Sequence, residues 1–243
     1  VDFSAYRRAF ALLVRYPKVL LGPLVAGVLA DLVLVSTPAT YAGSFGETVA
    51  SFAYRYVSLV IVAFGLAFAL IVANQAWEGH DRSLSDYAYV FGNRILIIFF
   101  TAVGANFMVF VASQLGALFG PIAGLASAAL SFAALFFLAY AYAGAAIRAI
   151  PAATAIEMSI ESAWDNWRQT LPLAFVSLII LQFVPTLVEQ LLEPLLIESG
   201  IFRSAAVPSL IIAIIVSVFN AYLALVIAKT YADLAIPHPR LQR

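Results

Sequence analysis

Four polar residues stand inside long apolar runs: Asp31, Asn106, Gln182 and Asn220. In lipid such side chains are costly, about 2.5–3.5 kcal/mol for a charge near the bilayer centre on insertion scales. A carboxylate and three amides can do two things there. They can hydrogen-bond neighbouring helices, or they can line a polar path or hold a small polar ligand. The first three lie 13, 12 and 14 residues after the basic residues Lys18, Arg94 and Arg168. At 1.5 Å per helical residue that predicts a common depth of about 20 Å. Asn74 and Gln75, and further on Gln114, add polar atoms to other runs.

Other chemistries are poorly represented. The chain has no cysteine, which removes disulfides, thiolate metal sites and cysteine nucleophiles together. Its two histidines, His80 and His238, fall in connections and lack a second histidine one turn away. No Gly-x-Ser-x-Gly, His-Glu-x-x-His or phosphate-loop motif occurs. Glu189 and Glu193 stand one turn apart before Pro194 and read as a solvated helix end. Gly116, Gly120 and Gly124 flank Pro121, which predicts a tight turn between two spans. No catalytic residue, cofactor or metal is expected, and the chain is read as non-enzymatic.

The elements that must position the polar residues follow from composition. Of 243 residues, 64% are hydrophobic and 11% charged, with mean hydropathy +0.99. Soluble domains hold about 45–50% apolar and about 25% charged residues, so the solvent is lipid. Net charge is zero, which gives no reason to expect nucleic acid. High alanine, leucine, valine and isoleucine without cysteine suggests a bacterial chain. Charges are interleaved with apolar residues over 1–18, so the first apolar run is expected to be a retained span instead of a cleaved signal.

A spanning helix needs about 20 mostly apolar residues. Six runs qualify: 19–35, 52–77, 95–117, 122–147, 171–192 and 208–231. The fold class predicted is all-α, a membrane bundle of about six helices forming a single domain. Lys and Arg set the orientation. With the N-terminus inside, eleven of them face the cytoplasm and two, Arg55 and Arg203, face out. Both termini are therefore expected in the cytoplasm, in the bacterial inner membrane.

Each inner connection holds an amphipathic segment. Phe3, Tyr6, Phe10 and Leu13 recur at helical spacing in the first, and Leu84, Tyr87 and Phe91 in the second. In the second, Ser83 with Asp86 resembles a capping box. In the third, Ile156, Ile160, Trp164 and Trp167 face one way, and Glu157, Glu161 and Asp165 another. Such segments are expected to lie flat at the headgroups. Each ends in a basic residue before a span: Tyr16-Pro17-Lys18, Asn93-Arg94 and Asn166-Trp167-Arg168. The pattern implies three pseudo-repeats of interfacial helix plus hairpin, at about 1–78, 79–150 and 151–243.

The stretch Ser162-Ala163-Trp164-Asp165-Asn166-Trp167-Arg168, running into Leu171 and an apolar span, resembles segments of several bacterial membrane-protein families of unknown function. These include the YciC-like six-span domains and the membrane domain fused to some glycerophosphodiester phosphodiesterases. Phe10-Ala11-Leu12-Leu13 followed by Tyr16-Pro17 is similar at the first copy. The resemblance implies the fold and carries over no catalytic residue. The function expected is a scaffold, accessory subunit or envelope helper, with a transporter or channel for a small solute or lipid as the alternative. Expected partners are membrane lipids and other membrane subunits or a second copy of the chain.

Overall fold

The computed structural model describes residues 4–35, 45–188, 190–191 and 206–234, without the side chains of 34–35, 45–52, 182 and 206–209. Glu189, Glu193, Glu198, Arg203, His238, Arg240 and Arg243 lie outside the described residues. Helices dominate, and no strand occurs among the described residues.

Among the described residues, five helical segments are long and apolar enough to cross a membrane: Ala53–Trp77, Leu84–Ala117, Gly120–Arg148, Trp167–Val188 and Leu210–Asp233. The sixth expected span is assembled from two pieces. Helix α1 (Ser4–Arg15) meets the segment from Pro17 at 95°. Proline lacks an N–H and steers the residue before it out of the helical region, and Tyr16 sits at φ −122°, ψ 69°. A four-residue 3-10 turn, Pro17–Leu20, then leads into the 15-residue α2 (Leu21–Val35). At about 2.0 Å per residue for the turn and about 1.5 Å for the helix they reach about 30 Å, the thickness of a hydrocarbon core. The architecture is that of a polytopic helical membrane protein, and its surface agrees: Leu96, Phe100, Leu118 and Leu125 are all exposed.

The second amphipathic segment corrects the expectation of a flat helix at every inner connection. Residues 84–93 are the first turns of an unbroken 34-residue α4 (Leu84–Ala117). The capping box fixes its start: Ser83 Oγ accepts from Asp86 N–H at 3.2 Å, and Asp86 Oδ2 accepts from Ser83 N–H at 3.3 Å. No proline interrupts the helix beyond this cap, and a single Gly92 costs a helix only about 1 kcal/mol. Tyr87, placed in an amphipathic stripe, is fully buried.

Helix α3 (Phe45–Trp77) packs against α2 through small residues. A Cβ on Gly22 would stand 2.6 Å from the Gly65 carbonyl oxygen, and one on Gly65 would stand 2.7 Å from the Gly22 oxygen. Gly22, Ala26 and Ala30 recur every fourth residue, a spacing that lets two backbones approach in a membrane. After α4, a turn carries Gly120 at φ +55° and a 3-10 segment, Gly120–Ile122, into α5 (Ala123–Phe137).

The fourth expected span, 122–147, is broken. Helix α5 ends at Phe137, residues 138–140 form a turn, and α6 (Ala141–Arg148) resumes. Helix α7 (Ala152–Asp165) lies against the break. Its buried stripe is Ala155, Ser159 and Ala163, while Ile160 and Trp164 face outward. Helix α8 (Trp167–Leu178) runs into a π-helical turn, Ile179–Phe183. Pro185 accounts for that turn, because its ring would clash with the Leu181 carbonyl in a regular helix. Helix α9 (Ala206–Asp233) closes the bundle.

The packed core occupies one end of the bundle, around Leu70, Val72, Tyr87, Leu223 and Val226. Basic residues tie that end together. Lys18 Nζ donates to Asp81 Oδ1 at 2.6 Å and to the Arg82 carbonyl at 2.8 Å. Arg94 donates to the Ala146 and Ile147 carbonyls, capping the C-terminus of α6. Trp77 Nε1 donates to the Leu225 carbonyl at 2.8 Å, joining α3 to α9.

Candidate functional site

Beyond the packed end, the helices line a cavity of about 610 Å³ that is partly open. Its floor is the edge of the core: Leu66, Leu223 and Ile227. Helices α2, α3, α4 and α9, the α5–α6 break and the α8 segment all contribute to its wall. The lining is mostly apolar, with a few separated polar groups, the usual make-up of a small-molecule site.

Three of the four polar residues singled out in the sequence line this cavity: Asp31 from α2, Asn106 from α4 and Asn220 from α9. Gln182 lies in the π turn, and its side chain is outside the described residues. Sequence pattern did not single out Ser177, Ser217 or Tyr142, which also line it.

The three differ in how they are satisfied. Asn106 Nδ2 donates to the Leu59 carbonyl of α3 at 3.2 Å. In return, the Tyr56 hydroxyl of α3 donates to the Val103 carbonyl of α4 at 2.5 Å. Asn106 therefore joins two helices as well as facing the cavity. Asp31 is half-buried, and the described residues give its carboxylate no hydrogen-bond or ion-pair partner. Asn220 is 6% exposed, and its Oδ1 has no partner among the described residues. Buried polar atoms are nearly always paired, so these two hold unused capacity. A half-turn of the Asn220 amide exchanges Oδ1 for Nδ2, so it can offer an acceptor or a donor.

Small side chains place these groups. Gly27 lets α2 approach α9: a Cβ there would lie 3.1 Å from Ser217 Oγ. That hydroxyl is 3.0 Å from the Pro23 carbonyl of α2 and 2.6 Å from the Ala213 carbonyl of α9. Asp31 lies one turn beyond Gly27 and Asn220 three residues beyond Ser217, so this contact brings both to the same cavity.

Two irregular stretches border the same space. Leu138 and Ala139 come from the α5–α6 break, and Ile180 and Leu181 from the π turn. In a membrane, irregular backbone is tolerated where protein buries it or where it lines a cavity. The break is buttressed from α7: Ser159 Oγ accepts from Tyr140 N–H at 3.0 Å and donates to the Phe137 carbonyl at 2.8 Å. The π turn has no such side-chain support among its described contacts.

The arrangement can hold a small molecule between apolar walls and a few polar groups. The cavity lining holds no histidine, lysine or arginine among the described residues. No cluster of three His, Cys, Asp or Glu able to hold a metal occurs among them. Neither protein families nor characterised proteins nor solved structures match this chain.

Proposed function

We propose that this chain is a non-enzymatic membrane carrier that holds a small, largely apolar molecule in its central cavity. One observation carries the proposal: a space of about 610 Å³ lies within the bundle, faced by polar groups with unused bonding capacity. An accessory or scaffold subunit has no need of such a space, whereas a carrier does. Broken helices at the cavity wall favour the same reading, because discontinuous helices often form the binding sites of transporters. The orientation proposed has both termini in the cytoplasm, in a bacterial inner membrane. It rests on the bias of Lys and Arg to one side.

The partners proposed are membrane lipids. Trp164 and Trp167 are exposed near the start of a span, and aromatic rings of this kind favour the headgroup layer.

Filling the cavity tests the proposal. Val109 and Val216 reach it from different helices, and neither is fully buried. The neutral fluorophore N-phenyl-1-naphthylamine should bind the purified chain saturably above a protein-free detergent background. Val109→Trp and Val216→Trp should each abolish that binding without lowering the unfolding temperature. Absence of saturable binding to the native chain, or unchanged binding to both variants, would refute the carrier reading.

A further inference from the structure

Resting on that carrier reading, we infer that the cavity selects lipophilic monovalent cations and rejects anions, with Asp31 as the counter-charge. Apart from Asp31, the described residues of the cavity lining include no acidic or basic side chain, and no described residue neutralises Asp31 from within the protein. Among the described residues, the sign of the site is therefore set by Asp31. In a low-dielectric cavity an ion pair is far stronger than in water, and so is the repulsion of a like charge. A cation entering supplies the partner that no described residue provides, and an anion meets like charge.

The remaining lining describes the rest of the ligand. Elsewhere the wall includes Leu59, Val62, Val109 and Val216, which suits an alkyl or aryl body. Asn220 adds a second polar contact from α9, with an amide that no described residue engages through Oδ1. The volume falls within the range of about 300–1,000 Å³ typical of small-molecule pockets, so the cation is a drug-sized amine or onium ion and not a bare metal ion.

Two ions of nearly equal shape and opposite sign separate charge from fit: tetraphenylphosphonium and tetraphenylborate. Equilibrium dialysis of the full chain in non-ionic detergent, corrected for protein-free detergent, measures both. The native chain should bind the cation at least about tenfold more tightly than the anion, a gap of about 1.4 kcal/mol. Asp31→Asn, of nearly the same size, should erase the preference, and Asp31→Glu should keep it. Equal binding of the two ions, or an unchanged preference in Asp31→Asn, overturns the cation inference but leaves the carrier reading standing. If neither ion nor the neutral naphthylamine probe binds the native chain, both fall together.

Discussion

The hydroxyl of Ser159 on α7 stands in for the helical bond that Tyr140 lacks, accepting from the Tyr140 N–H at 3.0 Å. The same oxygen donates to the Phe137 carbonyl at 2.8 Å, so one side chain satisfies both sides of the α5–α6 break. Ser159 is 1% exposed and Tyr140 2%, leaving no water to take over. The Tyr140 hydroxyl lies 2.9 Å from Thr170 Oγ1 of α8, extending the support to the next span.

Ser159→Ala should therefore cost about 1–3 kcal/mol, the penalty of a buried donor left without a partner. Thermal unfolding in detergent reads it as a lowered midpoint. An unchanged midpoint would mean that the break holds without Ser159.

The contact between α2 and α3 predicts opposite outcomes at two glycines. Gly65→Ala puts a Cβ 2.7 Å from the Gly22 oxygen. Overpacking of this kind costs about 1–3 kcal/mol, and α2 would shift, carrying Asp31 with it. Gly92→Ala meets nothing within 4 Å and gains helix propensity of up to about 1 kcal/mol. The first variant should unfold earlier than the native chain and the second no earlier. Equal unfolding of the two would show that the close approach is not needed.

Single cysteines test the proposed orientation, and the chain has none to remove. Cysteines at Ser44 and Ser199 should react with an impermeant maleimide added outside intact cells. A cysteine at Ser83, which is exposed, should react only after the cells are opened. Outside labelling at Ser83 would invert the topology. Ser159 is unsuitable as an inner marker, because it is buried and hydrogen-bonded.

Hydropathy made the outline of the fold legible in advance. An apolar solvent forces each crossing segment to be a continuous apolar helix, so a local count along the chain finds α3, α4 and α9 directly. Local rules also reach the Ser83 cap and the turn at Gly120, since cap and turn chemistry involve residues within a few positions of each other. Asp31, Asn106 and Asn220 were legible as costly residues for the same reason: their environment is set by the run around them. Tertiary structure decided everything that depends on which way a helix is turned and on what lies opposite. Nothing local tells that residues 84–93 continue a span while 4–15 bend away from theirs, beyond the proline that marks the second case. The buried face of α7 is Ala155, Ser159 and Ala163 because a close-packed neighbour admits small side chains, although the aromatic stripe is the stronger pattern. The break at 138–140 carries no proline or glycine, and the side chain that bonds across it, Ser159, is 19 residues from Tyr140. Asn106 found its acceptor 47 residues away, whereas the Asp31 carboxylate found no donor among the described residues. Hydropathy is a property of one segment, but a cavity is the space several segments fail to fill, and only their mutual packing sets its place and lining.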